Sequence, residues 1–205
     1  IRNNCNNNPP NIIPILDICV EAGSSINLNV KGTDQDFDFI SLEESGLPFN
    51  LTNSPAVFNS VDNNGLTNGI FQWNTNCSHV QKSSYPILLE VKDNGTPVLS
   101  DYEAFNVDVR PPPITGLSAI PIGSSVHINW DKAICSSALG YNIYKKEGPI
   151  NTFEECCELT DLSNYGVSLI HQTNSYSDTA YVDSDSLEIG RSYCYFVTGI
   201  YDLGQ

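Results

Sequence analysis

The chain has no methionine and few basic residues: nine Lys and Arg stand against 24 Asp and Glu, a formal charge of −15 over 205 residues. A surface this acidic repels phosphate backbones and anionic lipid headgroups, which argues against nucleic-acid binding and electrostatic docking on a membrane. Residues 1–110 carry five basic and 13 acidic groups and residues 111–205 carry four and 11, so the charge belongs to the whole surface and not to a tail. No apolar run approaches the ~20 residues of a membrane-spanning helix, so direct membrane insertion is not expected. No basic-then-apolar leader opens the chain, and Ile1 reads as an internal position of something longer. Catalytic patterns are missing too: there is no G-x-S-x-G, no H-E-x-x-H and no Gly-rich phosphate loop. There is no C-x-x-C, and His79, His127 and His171 are far apart and near no cysteine cluster, so disulfides are favoured over zinc. His127 is expected on the solvent face of a strand. The chain is read as a non-enzyme without cofactor, calcium being the one exception.

What is present is seven cysteines, 12 prolines and much Asn and Ser, a composition suited to the extracellular space. Arg110-Pro111-Pro112-Pro113 cannot donate to a ladder and favours an extended spacer; Asn6-Asn7-Asn8-Pro9-Pro10 gives a similar signal. These marks divide the chain into a linker at 1–10, a module at 11–110, a Pro linker at 111–113 and a module at 114–205. Within each module the apolar period is two. Ile26, Leu28 and Val30 alternate with polar partners, as do Ile87, Leu89 and Val91, and Phe105, Val107 and Val109. Phe71 and Trp73 share a face, and turn signals such as Asp93-Asn94-Gly95-Thr96-Pro97 separate the runs. No stretch of helical length shows helical periodicity. The expected class is all-β, two tandem β-sandwiches.

The second module carries Pro112-Pro113-Ile114-Thr115-Gly116-Leu117, Val126-His127-Ile128-Asn129-Trp130, Gly140-Tyr141-Asn142-Ile143-Tyr144 and Leu187-x-x-Gly190-x-x-Tyr193-x-Tyr195-x-Val197. These four blocks resemble a fibronectin type III domain. The resemblance implies a core signature of Trp130, Tyr141, Leu187 and Tyr193, with the Tyr193 hydroxyl bonding back to upstream backbone as a tyrosine corner. Strands are expected near 114–120, 125–130, 139–146, 167–172, 176–183 and 193–201. The four residues after Tyr201 are too few for a seventh, so the module is expected to lack its last strand in this fragment, that strand lying beyond Gln205 or coming from another chain. Alternation would point Tyr193, Tyr195 and Val197 inward and Cys194 outward.

The first module carries Val20-Glu21-Ala22-Gly23-Ser24, Gly32-Thr33-Asp34-Gln35-Asp36-Phe37-Asp38, Gly69-Ile70-Phe71-Gln72-Trp73 and Val91 to Asp101. These stretches resemble the cadherin-like or immunoglobulin-like repeats of bacterial surface proteins. The tandem, with Cys19, Cys77, Cys135 and Cys194, looks like long adhesins of Bacteroidota, some associated with gliding motility and exported by the type IX secretion system. The sorting domain of such proteins does not occur in this sequence. The resemblance implies a Cys19–Cys77 disulfide. Cys135 is expected to pair with Cys157 or Cys156, pinning the irregular 147–165 stretch, while Cys5 pairs with preceding material or stays free.

Asp34, Asp36 and Asp38, at i, i+2 and i+4, place three carboxylates where they can converge on a hard cation. Cadherins hold calcium with similar clusters, and Asp93-Asn94-Gly95 offers a further ligand; the alternative is a solvated acidic turn. Where the family has Gly after the second Asp, this chain has Phe37. Thr179 and Ser186 sit in Asp-Ser/Thr-aliphatic triplets resembling O-glycosylation acceptors of Bacteroidota. Asn50-Leu51-Thr52 and Asn76-Cys77-Ser78 fit the eukaryotic N-glycan sequon, which means little in a bacterial protein. The expected role is structural or adhesive: stalk modules of a large adhesin at the bacterial outer surface, its partners being neighbouring modules, other surface proteins or glycans. The rival readings are accessory domains of a secreted carbohydrate-active enzyme, or a glycan-binding module.

Overall fold

The computed structural model describes residues 7–149 and 166–202, and turns the alternation into antiparallel strands. No α-helix occurs among the described residues. The chain divides into two compact units, Ile1–His79 with Ser83–Val109, and Val80–Lys82 with Arg110–Gln205.

Unit 1 is a sandwich of two sheets. One contains β1 (Asn11–Ile12), β3 (Ser25–Thr33), β7 (Leu66–Asn74) and β5 (Val57–Val61), in the order β1-β3-β7-β5. The other contains β2 (Ile18–Glu21), β9 (Ser100–Arg110), β8 (Tyr85–Asp93), β4 (Phe39–Gly46) and β6 (Asn63–Asn64), in the order β2-β9-β8-β4-β6. The period-two residues form the core between them: Ile26, Val30, Phe71, Trp73, Ile87, Leu89, Val91, Phe105, Val107 and Val109 are all buried, while Leu28 is half-buried. Aromatic pairs stitch one sheet to the other. Phe71 meets Phe105 edge-on at 5.8 Å, and Trp73 meets Tyr85 edge-on at 5.0 Å. Each such pair adds roughly 0.5–1.5 kcal/mol beyond the area it buries.

Unit 2 places β10 (Ser118–Ile122), β11 (Ser125–Asn129) and β14 (Ala180–Asp183) in one sheet, and β13 (Ser168–Gln172), β12 (Ala138–Glu147) and β15 (Tyr193–Tyr201) in the other. Ile128, Trp130, Ala133, Tyr141, Ile143 and Tyr195 form its core, with Trp130 edge-on to Tyr141 at 5.5 Å. Six strands are present among the described residues, and β15 lies at the edge of its sheet.

Three local expectations are corrected. The first strand of unit 2 begins at Ser118 and not at 114, because Gly116 takes a left-handed turn (φ 65°) and Thr115 O is occupied by Asp131 N at 2.9 Å. The strand expected from 176 begins at Ala180, because Ser175 closes a turn instead: its O accepts Asp178 N and its Oγ accepts Ser177 N, both at 3.1 Å. His127 lies on the outer face of β11, as expected, in register with exposed Ile120 and Val182 and opposite buried Ile128, and these flanking side chains leave it half-buried. The inward–outward alternation of β15 is blurred: Tyr195 is buried, while Tyr193, Cys194 and Val197 are all half-buried. A strand with a neighbour on one side only cannot cover its inner face as a central strand does.

Candidate metal centre

Asp34 follows β3, where the chain turns toward β4. Its Oδ1 accepts the backbone N–H groups of Asp36 (2.8 Å) and Asp38 (3.1 Å), a local bond that Asp prefers to make in turns. The bond curls residues 34–38 so that one ligand oxygen from each of Asp34, Asp36 and Asp38 lies within 4.8 Å of the other two. Calcium–oxygen distances are ~2.4 Å, so oxygens on opposite sides of one ion are about 4.8 Å apart, and the cluster fits inside that sphere.

Two buried atoms near this turn lack any hydrogen-bond partner: Asp34 Oδ2, in a residue only 6% exposed, and Asn7 Oδ1. A buried carboxylate oxygen without a donor costs free energy unless a cation meets it. Asn7 is tied to the same region, its Nδ2 donating to Asp93 Oδ2 (2.8 Å) and to Pro97 O (2.7 Å). Asp93 is buried, and its Oδ1 accepts Gly95 N and Leu99 N. Gly95 makes room for this contact, since a Cβ on it would fall on the Asn7 side chain and displace it. On the solvent side Asp36 accepts the backbone N–H and the side-chain amide of Asn8. Partial burial, then the charges of Asp34, Asp93 and Asp36, hold the Asp38 carboxyl above the ordinary 3.8. Among the described residues no Lys or Arg forms an ion pair with any of these four carboxylates.

The chain thus brings Asp34, Asp36 and Asp38 together and adds Asp93 and Asn7. Asn7 was not foreseen as a site residue. Its contact with Asp93 spans 86 residues, and the only local signal is an Asn-rich run before Pro9. Phe37 holds the left-handed conformation (φ 61°) that glycine would take without strain, and its side chain is 75% exposed.

Elsewhere, Cys19, Cys77 and Cys135 are disulfide-bonded and Cys194 is a free, half-buried thiol. Cys5, Cys156 and Cys157 lie outside the described residues. Trp130 and Tyr141 are buried, with the Tyr141 hydroxyl accepting Ala133 N and donating to Tyr176 O. The Tyr193 hydroxyl accepts Glu188 N (3.0 Å) and donates to Ser186 O (3.4 Å), the upstream backbone bonding of a tyrosine corner. Leu187, within the same turn, is half-buried, as is Thr179, whereas Ser186 is exposed.

Unit 2 has a buried charged cluster that was not foreseen. Asp183 is 1% exposed and accepts Lys145 Nζ at 2.9 Å and the Tyr195 hydroxyl at 2.7 Å on Oδ2, and Asp185 N on Oδ1. Lys145 Nζ also donates to Asp185 O. Burial raises the Asp183 carboxyl, but the bonds from Lys145, Tyr195 and Asp185 N, with the Lys145 charge, outweigh it and set the group below the ordinary 3.8. Burial and the bond to Asp183 push the Tyr195 phenol well up. This clamp joins β12 and β15 of one sheet to β14 of the other.

No family model and no curated protein matches the chain. Among solved structures it is similar to a nucleoside hydrolase-related protein of Saccharophagus degradans associated with carbohydrate metabolism (19% identity, 51% of this chain and 26% of that one, TM-score 0.35). It is similar to the sialic acid binding region of a Streptococcus sanguinis SK1 adhesin (11% identity, 60% and 44%, TM-score 0.39). A third likeness is to the N-terminal Ig1-2 module of the Drosophila receptor protein tyrosine phosphatase DLAR (14% identity, 96% and 93%, TM-score 0.34). The site is defined by its side chains and not by these likenesses.

Proposed function

We propose that the chain is a non-catalytic pair of extracellular β-sandwich modules whose first unit is stiffened by calcium. The observation that carries this reading is the buried Asp34 Oδ2 without a donor, inside a group of three carboxylates that fits one calcium sphere. Asp34, Asp36 and Asp38 would hold the ion, with Asp93 and the Asn7 Oδ1 as further oxygens. Calcium would supply the positive charge that the protein itself lacks there, and tie residues 7–8 to the 34–38 and 93–99 turns. Millimolar calcium is an extracellular condition, and the bonded cysteines suit the same oxidising compartment. No helix among the described residues is long and apolar enough to cross a membrane. The finer placement rests on the sequence resemblance: a stalk region of a Bacteroidota adhesin, exported by type IX secretion, held at the outer surface and serving adhesion or gliding. Calorimetric titration of the EDTA-treated chain with calcium tests the central claim. Binding of one or more ions that is lost in Asp34→Asn supports it; no heat at millimolar calcium rejects it.

A further inference from the structure

The loop between β13 and β14 borders an open, mostly polar depression of about 570 Å³ on unit 2. Its walls include His171, Gln172, Asn174, Ser177, Asp178 and Thr179. None of these six side chains is hydrogen-bonded to another described residue, so all keep their donors and acceptors for something else. The backbone carrying them is nonetheless pinned to the core. Thr173 is buried, its N and Oγ1 bonded at 2.9 Å to O and N of buried Tyr141, and Thr179 O accepts the backbone N of buried Trp130. The fixed backbone removes the cost of ordering a loop, and what remains is the ordering of the side chains themselves.

Chemistry narrows the ligand. Two carboxamides, two hydroxyls, an imidazole and one carboxylate supply donors and acceptors in mixture, which suits vicinal hydroxyl groups more than a ligand of single polarity. The His171 ring stacks on Tyr181, centroids 4.3 Å apart and 10° from parallel. His171 is exposed and lines the cleft, where its ring can meet the C–H face of a sugar. Asp178 in the wall and the net charge of −15 repel anionic ligands. We infer that this cleft is a binding site for a neutral oligosaccharide, with Asn174, Gln172 and Asp178 taking its hydroxyls and His171 its apolar face. This goes beyond the calcium reading and does not depend on it, since every residue named belongs to unit 2.

The test uses the whole chain, isotope-labelled, with cellohexaose, mannohexaose, xylohexaose and maltohexaose, and sialyllactose as the anionic control. Each is added to about 10 mM, where a Kd near 1 mM gives about 90% occupancy. The expected result is that a neutral sugar shifts the amide signals of residues 171–180, unchanged in EDTA, and that His171→Ala and Asn174→Ala each weaken binding about tenfold with an unchanged melting temperature. Three outcomes overturn the proposal: no neutral sugar binds, the shifts fall outside 171–180, or binding survives the double variant. Binding of sialyllactose alone overturns the assignment to neutral sugars.

Discussion

Both units bury carboxylates, and they settle them in opposite ways. In unit 2, Asp183 has a lysine, a phenol and a backbone N–H on its two oxygens, and its carboxyl is held below the ordinary value. In unit 1, Asp34, Asp36 and Asp93 lean on backbone N–H groups and Asn side chains, and Asp38 is held above it. Nine basic residues face 24 acidic ones, and among the described residues no basic one pairs with buried Asp34 or Asp93. The difference separates a self-sufficient clamp from the site proposed to take an outside cation.

The strongest way to break this contrast is Lys145→Ala. It leaves Asp183, 1% exposed, without its cation, and removing one partner of a buried pair costs about 3 kcal/mol. The chain has one Trp in each unit, Trp73 and Trp130, so fluorine-labelled Trp gives one resonance per unit to follow melting. The Trp130 transition should fall by several degrees while that of Trp73 stays. Acid should sort the units the same way. A lowered Asp183 contributes stability that is full above pH 3.8 and is lost as pH falls through its folded value. A raised Asp38 has the opposite sign: in EDTA its contribution is full below pH 3.8 and is lost as pH rises through its folded value. Glu90, lowered by its bonds from Ser100 and Tyr102, adds the opposite sign to unit 1, so the Asp38 share is read from a variant. In EDTA, Asp38→Asn should raise the Trp73 transition more at pH 7 than at pH 3, and the absence of that difference breaks the contrast.

Next in size is calcium itself. At a concentration one hundred times Kd, an ion that binds only the folded state adds about 2.7 kcal/mol. The Trp73 resonance should melt later in calcium than in EDTA, and the Trp130 resonance should not move. Asp34→Asn should abolish the difference. A calcium response in the Trp130 transition would relocate the site to unit 2.

A smaller effect sharpens the other side. Tyr193→Phe removes the acceptor of Glu188 N and the donor to Ser186 O, a loss of about 1 kcal/mol confined to the Trp130 transition. An unchanged melting temperature would show that water replaces both bonds.

Much of this frame was legible in the residues. Alternation located the strands around 26–30, 87–91 and 105–109, because a half-buried strand must repeat with period two, and the fibronectin resemblance placed the 193–201 strand to the residue. The three aspartates of the 34–38 turn were legible because the turn is made by Asp34 itself. What sequence did not show is what topology creates. Asn7 meets Asp93 across 86 residues, and Lys145 meets Asp183 across 38, between strands of different sheets. Neither has a local signal. The late start of β14 was missed because the Ser175 turn competes with extension through side-chain bonds that no apolar period records.

The smallest predicted effect concerns the residue between two of the candidate ligands. Phe37 sits at φ 61° with its ring against Gly65, itself at φ 70°, where an added Cβ would come within 2.7 Å of that ring. The left-handed conformation costs a side-chain-bearing residue about 1 kcal/mol relative to glycine. The ring is 75% exposed and so recovers little of this by burial. Comparing Phe37→Ala with Phe37→Gly isolates the backbone contribution, since both remove the ring and only Ala keeps the strain. Part of the gain is offset, because glycine loses more freedom on folding, by roughly 0.5–1 kcal/mol where the backbone is not left-handed. The expected outcome is a Gly variant more stable than the Ala variant by about 0.5 kcal/mol in the Trp73 transition, with the Trp130 transition unmoved. The same pair should bind calcium in the same order, because the strained residue joins Asp36 to Asp38 and a turn that holds its shape without the ion binds it at lower cost. Equal stability would mean that the 34–38 turn relaxes out of the left-handed region once the ring is gone, and that the ring holds the aspartates in place.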